Sequence, residues 1–336
     1  MTDKKMIQSN GKTVLVTDGA GYIGSHCTVV LQEAGYKVIA LDNFNNSKDD
    51  GNGGLPFIVL KKLRKFLCNS INNKSDSVIH FAAMKNVKDS MESPLLYYRN
   101  NIIGLINLLE VMEKFNIFNL AFSSSCTKRN RLGIQSVYGR TKYIVEDILK
   151  DISASNEKWN IISLRYFNPV GAHESDLIGE DPIKQFRNII PFLAQVAMGK
   201  REYFTIFGND YDTPDNSGIR DYTHVMDLAA GHVCALQKLE KSHVNINAYN
   251  LGAGRGVSVL ELINTFEKTN NVKIPYKFEA RRAGDVPMIY ADPSLAKREL
   301  GWKATRSLEQ MCSDFWRWQT MNFSGYQTEL RNGNNH

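Results

Sequence analysis

Tyr138-Gly139-Arg140-Thr141-Lys142 sets a phenol and an ammonium four positions apart, shortly after the run Ser123-Ser124-Ser125. On a helix that opens at Tyr138, Lys142 lies one turn further on the same face. A cation held there favours the phenolate, and a phenolate is a base. Tyrosine ordinarily releases its proton near pH 10, so acting at neutral pH needs a fall of about three units, or about 4 kcal/mol. One close ammonium in a poorly solvated cleft supplies energy of that order. Alone, such a pair is more often plain i, i+4 spacing on a solvated helix. Its weight comes from the elements around it.

Val14-Leu15-Val16-Thr17 is a short apolar run that ends in a glycine-rich turn, Asp18-Gly19-Ala20-Gly21-Tyr22-Ile23-Gly24. A helical pattern follows, with Ile23, Val30, Leu31 and Ala34 on its apolar side and Gly35 as its stop. Lys37 to Leu41 reads as a second strand ending at Asp42, about 20 residues after Gly21, where a carboxylate accepts hydrogen bonds from an adenosine ribose. Strand, turn, helix, strand and acid in that order point to dinucleotide binding. The acid disfavours a 2′-phosphate, so NAD is expected rather than NADP. Further strands are expected at Ser77 to Ala82, Asn119 to Phe122 and Ile161 to Arg165, with helices from Leu95 to Phe115 and from Tyr138 to about Ile152. This alternation predicts an α/β fold with a doubly wound parallel sheet of Rossmann type, its ligands at the carboxyl ends of the strands. The glycine turn, Asp42 and the serine run all fall on that edge. A serine cluster at a strand end is ordinarily turn chemistry; beside the Tyr-Lys pair it becomes a catalytic candidate.

A chain of 336 residues can bury one large core or two of medium size. Met1 to Lys12 is polar, with Lys4, Lys5 and Lys12 and no apolar stretch, so no signal peptide is expected. The longest apolar stretch, Ile189 to Met198, is too short to span a bilayer. The five cysteines, at 27, 68, 126, 234 and 312, are scattered and never in Cys-x-x-Cys pairs, which fits a reducing cytoplasm and argues against a zinc site. The net charge of +6 is spread along the chain and suits an anionic small ligand as well as it suits nucleic acid, so it decides little. A small-molecule partner is expected from the motifs, with neither nucleic acid nor membrane.

Beyond Arg165-Tyr166-Phe167-Asn168-Pro169 the alternation loosens into polar segments: Gly179-Glu180-Asp181-Pro182, Phe207-Gly208-Asn209-Asp210-Tyr211, Gly218-Ile219-Arg220-Asp221-Tyr222 and Arg281-Arg282-Ala283-Gly284-Asp285. Arginines far apart in sequence can converge on a diphosphate. At these words the chain resembles the UDP-glucose 4-epimerases, within the extended short-chain dehydrogenase/reductase family, along nearly its whole length. The matching segments include Gly-Tyr-Ile-Gly-Ser-His at 21–26, Val-Ile-His-Phe-Ala at 78–82, Tyr-Gly-Arg-Thr-Lys at 138–142, Gly-Asn-Asp-Tyr at 208–211, Arg-Asp-Tyr at 220–222 and Tyr-Asn-Leu-Gly at 249–252.

The resemblance implies a cytoplasmic homodimer that holds NAD and interconverts UDP-glucose and UDP-galactose through a 4-keto sugar. It implies two domains, residues 1–170 for NAD and a smaller α/β domain, residues 171–336, for the UDP-sugar. Tyr138 would take the proton of the sugar 4-hydroxyl, with Lys142 lowering its pKa and binding the nicotinamide ribose. Ser125 would hydrogen-bond the same hydroxyl, with Thr127 nearby. Cofactor contacts would come from Gly19, Gly21, Tyr22, Ile23 and Gly24 in the turn, from Asp42 and Asn43, and from Phe81, Ala82 and Ala83. Lys85, Asn101 and Phe167 match cofactor-side positions too. Substrate contacts would come from Asn168, Asn188, Ile189, Thr205 and Phe207, and from Arg220, Arg282 and Asp285. Ile289 stands where relatives that exclude N-acetyl sugars tend to carry tyrosine, so UDP-N-acetylglucosamine is expected as a further substrate.

Three departures from the family pattern fall on the cofactor side. Relatives read Thr-Gly-Gly where this chain has Thr17-Asp18-Gly19, which puts a side chain and a negative charge beside a pyrophosphate. The stretch from Asp42 to Val78 is shortened: no third strand is legible there, Ile58 to Leu67 reads as an amphipathic basic helix, and the second strand is expected to be an open edge. The link from Ser125 to Tyr138 is also short. An impaired homologue that only binds nucleotide sugars is therefore the alternative from another class. A nucleotide-sugar 4,6-dehydratase is the alternative within the family, against which Ser125-Cys126-Thr127-Lys128 offers no acid.

Overall fold

Val14, Leu15 and Val16 are fully buried, and successive residues face opposite sides of the sheet: Val14 and Val16 join one apolar cluster and Leu15 the other. A strand covered on both faces must be apolar throughout, which is why this run does not alternate. The computed structural model describes residues 9–44, 57–59, 75–126, 136–181, 188–282, 285–323 and 325–326. In chain order its elements are β1 (Thr13–Thr17), α1 (Tyr22–Glu33), β2 (Lys37–Asp42), β3 (Phe57–Val59), β4 (Ser77–His80), α2 (Val87–Glu92), α3 (Pro94–Tyr98), α4 (Gly104–Lys114), β5 (Asn119–Ser125), α5 (Val137–Ser155), β6 (Asn160–Tyr166) and β7 (Asn168–Val170). They continue with α6 (Ile189–Ala197), β8 (Phe204–Phe207), β9 (Ile219–Arg220), β10 (Tyr222–His224), α7 (Val225–Lys241), β11 (Ile246–Leu251), β12 (Val257–Ser258), α8 (Val259–Asn270), β13 (Tyr276–Glu279), β14 (Met288–Ile289), α9 (Ser294–Leu300) and α10 (Leu308–Met321).

The main sheet runs β11-β6-β5-β4-β1-β2-β3, with every neighbour parallel. Strand order reverses between β1 and β4, the crevice in which open α/β sheets bind ligands. Leu31 of α1 and Leu228, Ala229 and Leu236 of α7 cover one face. Leu105, Leu108 and Met112 of α4 and Val145 and Leu149 of α5 cover the other. Gly35, at φ +85°, ends the α1 turn as expected.

Two expectations need correction. A third strand exists: Phe57–Val59 pairs parallel with Ala40–Asp42, so β2 is covered and the proposed helix cannot begin at Ile58. The remainder of that segment, residues 60–67, lies outside the described residues. The helix expected from Leu95 to Phe115 is also not uniform, because Arg99–Ile103 is a π-helical turn between α3 and α4. Such turns aim a side chain off the regular helical face, and here the buried residue is Asn101.

The division at residue 170 does not follow the sheet. β11, from beyond it, forms the outer edge beside β6, and α7 packs on α1. The rest of the second half has its own core, built from Ile190 and Leu193 of α6, Leu262 and Phe266 of α8, and Met311, Phe315 and Trp318 of α10. Three small sheets, β7 with β10, β8 with β13 and β9 between β12 and β14, stand with it.

Candidate active site

The carboxyl ends of β1, β2, β4 and β5 converge on one edge. At β1, Asp18 takes φ +58° in the turn. Asparagine and aspartate visit this left-handed region more readily than other side chains do. A Cβ on Gly19 would stand 2.7 Å from the Ala40 Cβ, and one on Gly24 would strike the Asp18 carbonyl, so the turn needs both glycines. Gly21 caps α1 with extended backbone, and a Cβ there would fall 2.5 Å from the Asp18 carboxylate, which therefore lies against the Gly21 main chain. Asp42, buried at the end of β2, accepts hydrogen bonds from the Ala20 N–H (3.0 Å) and the Phe44 N–H (2.8 Å), and Asn43 next to it is exposed. Burial and the neighbouring Asp42 charge push the Asp18 carboxyl up to about 7, against Lys85 and Lys142.

Tyr22 and Ile23 open α1. The Tyr22 hydroxyl donates to the Gly171 carbonyl at 2.7 Å, tying the turn to the second half of the chain rather than leaving the phenol free for a ligand. Ala82 donates its N–H to Thr17 Oγ1 at 3.2 Å, Phe81 packs against His232, and Ala83 is half-buried. Asn101 is a clamp: its amide accepts from the Met84 N–H (2.9 Å) and donates to the Met84 carbonyl and to Thr141 Oγ1, both at 3.0 Å. It thereby fixes the loop that carries Lys85 to the helix that carries Tyr138.

Ser136 Oγ accepts the Gly139 N–H at 3.0 Å and caps α5, which places Tyr138 in the first turn. The phenol hydrogen-bonds Ser125, but burial dominates and pushes it up to about 12. Lys142 is 5% exposed, and its ammonium donates to the Ser123 carbonyl at 2.6 Å and the Ser123 hydroxyl at 3.2 Å, over the Phe122 ring. Burial pushes this lysine down to about 7. Lys142 and Tyr138 share a helix, and the end of β5 holds the ammonium. Four residues further on, buried Glu146 accepts from Ser124 Oγ at 2.5 Å and takes Arg165 at 3.1 and 2.7 Å. Sequence reasoning missed this pair, although the spacing Tyr138, Lys142, Glu146 repeats every four residues.

The substrate-side candidates gather in two groups. Arg220 pairs with Asp285, the Arg282 guanidinium stacks 4.0 Å from the Phe207 ring centre, and both Asp285 and Arg220 act on Arg282. Ile289 stands in register with Arg220, while Thr205 and Phe207 are half-buried on β8. Arg220 also acts on Cys126, the residue after Ser125, so this arginine cluster borders the catalytic candidates. In the second group, Asn168 donates to the Asp221 carbonyl at 3.0 Å. Asn188, just before Ile189 and α6, donates to the buried Glu180, which also meets Lys85 at 3.7 Å. Phe167 is half-buried beside Gly252. Thr127 lies outside the described residues. Glu180 was not foreseen either; its segment showed only turn composition.

The profile of a family described as GDP-mannose 4,6 dehydratase matches residues 15–315. The UDP-glucose 4-epimerase of Homo sapiens is 45% identical over 94% of this chain and 99% of its own length. UDP-glucose 4-epimerase 2 of Arabidopsis thaliana is 45% identical over 94% and 97%. The chain belongs to the UDP-glucose 4-epimerase family. Among solved structures, the family member from Bifidobacterium longum, in complex with NAD+ and UDP, superposes with a TM-score of 0.86 at 41% identity, covering 94% of this chain and all (100%) of that one. The UDP-glucose 4-epimerase family thus accounts for the first- and second-half motifs together.

Proposed function

We propose that this protein interconverts UDP-glucose and UDP-galactose at the edge formed by β1, β4 and β5. The observation that carries this reading is that Ser125 bonds Tyr138 while Arg220, which neighbours Arg282, lies near enough to act on Cys126, the residue after Ser125. The glycine positions leave main chain exposed where side chains would not fit, and Asp42 ends β2 as a ribose-binding acid should, so the residues suit NAD. Bound NAD would supply reversible hydride transfer at the sugar C4. Tyr138 acts as its phenolate, which the positive charge of bound NAD and of Lys142 would favour once its own proton has left; the phenolate takes and returns the 4-hydroxyl proton, and Ser125 holds that hydroxyl in place. Arg220 and Arg282 neutralise the diphosphate, which lets the UDP stay fixed while the sugar turns. The purified protein should carry NAD and convert UDP-galactose to UDP-glucose. A protein that binds UDP but neither retains NAD nor turns over would be a nucleotide-sugar binder instead.

Ile289 sets the substrate range in this reading. It is half-buried beside Arg220 and lacks the reach of tyrosine, which leaves room for a 2-acetamido group. Ile289→Tyr is expected to suppress turnover of UDP-N-acetylglucosamine more than that of UDP-glucose, by about tenfold or more, since steric exclusion costs roughly 1–3 kcal/mol. Equal losses in a two-sugar competition assay would remove Ile289 as the gate.

The active form is a dimer in the cytoplasm. Val87 and Met91 on α2, Leu95 and Leu96 on α3, and Ile103 and Ile106 beyond them are large apolar side chains left exposed on consecutive turns, Leu95 by 79%. A second copy would cover them. Light scattering should give twice the chain mass of 38.0 kDa, and Leu95→Lys with Leu96→Lys should halve it; a single-chain mass for the unaltered protein would overturn the pairing. Cys27, Cys126, Cys234 and Cys312 are free thiols, as a reducing compartment allows. No helix among the described residues is long and apolar enough to cross a membrane.

A further inference from the structure

Asp18 has no counterpart in the chemistry just described, because a carboxylate beside a pyrophosphate opposes binding. Its position leaves it little freedom. The residue is held at φ +58°, its carboxylate lies against the main chain at Gly21, and its carbonyl fills the space beside Gly24 while accepting the Gly21 N–H at 3.1 Å. Among the described residues no donor bonds the carboxylate itself. The charged groups that face it are Asp42 from β2, Lys85 from the loop after β4 and Lys142 from α5. Lys142 is already committed to Ser123, and Lys85 to Glu180. The N-terminus of α1 offers only its dipole, which a pyrophosphate at this turn would share.

We propose that the dinucleotide binds only to the form of the protein in which the Asp18 carboxyl carries a proton, so that cofactor binding takes up a proton at this residue. The inference rests on the reading of the glycine turn as the NAD site. In the free protein the group already releases its proton only near 7, and an anion set beside it can only raise that value. Below that pH the carboxyl is protonated before the cofactor arrives and affinity is constant. Above it each unit of pH lowers the protonated fraction, so affinity falls by up to about tenfold per unit. A neutral carboxyl is also a donor, able to bond a phosphate oxygen that the carboxylate would repel.

Equilibrium dialysis from pH 6 to pH 9, started from the NAD-bound protein and run against graded NAD until bound and free cofactor no longer change, tests this. Asp18→Asn keeps the shape and tolerates the left-handed backbone, and it is neutral throughout. The unaltered protein should lose NAD affinity above pH 7, and Asp18→Asn should bind with a constant Kd that is tighter at pH 9 by about tenfold or more. A flat profile for the unaltered protein would overturn the proposal. So would an equal slope in both proteins, which would assign the proton to Lys142. If neither protein binds NAD at any pH, the NAD reading of the turn fails and the inference with it, whereas pH-independent binding leaves that reading intact.

Discussion

Tyr138→Phe should reduce epimerisation by a factor on the order of 10² to 10⁴ and leave UDP affinity unchanged. The substitution removes one oxygen from a buried ring, so the packing of α5 against the sheet persists. That oxygen, bonded to Ser125, is the group proposed to accept the proton of the sugar 4-hydroxyl. In the proposed function the nucleotide is held instead by Arg220, Arg282 and Phe207, which contact Asp285 and one another. Turnover of UDP-galactose and calorimetric titration with UDP separate the two. Near-normal turnover would refute the assignment; loss of UDP binding would show that the variant had disturbed more than a proton.

Arg165→Met should cost the fold about 3 kcal/mol. Glu146 is 3% exposed along its side chain and has Arg165 as its ion-pair partner, bound through two nitrogens. Removing one member of a buried pair leaves the other charge less compensated, at a typical cost of about 3–5 kcal/mol, and Ser124 still donates to Glu146. The lower end applies because the arginine side chain is 26% exposed and water reaches part of it. Replacing both residues, Arg165→Met with Glu146→Leu, should restore most of the loss, since the charge then leaves together with its partner. Denaturant midpoints for the three proteins decide the matter. A single variant as stable as the parent would show that the pair holds nothing.

The parts of the fold that depend on local pattern were readable in the chain. β1, the glycine turn and the acid at the end of β2 follow from apolar runs and glycines, which act over a few residues. What failed depends on distant partners. Phe57-Ile58-Val59 is a three-residue run that suits helix and strand alike, and only the exposed edge of β2 makes it a strand. Ile246–Leu251 carries two asparagines and lies outside the expected alternation, yet β6 recruits it. In the site, the spacing puts Tyr138 and Lys142 on one helix but does not reveal the hydrogen bond that Lys142 makes to Ser123. The Ser123 carbonyl that holds it arrives from β5, and nothing local to α5 announces it. Asp18 was visible as an aspartate, but its burial and its facing charges are properties of three other elements.

The place of β11 bears on how this chain is made. During synthesis β6 is complete soon after residue 166, yet its outer edge has no partner until Leu251 has left the ribosome. Over that interval a row of unpaired backbone groups and the apolar face later covered by α7 stand open to other chains. A polypeptide terminated anywhere between these strands would carry every catalytic candidate of the first half and still present a sticky edge. Nascent copies of this protein therefore need shielding over that stretch of translation, and slowed elongation between codons 167 and 251 should raise the fraction that aggregates.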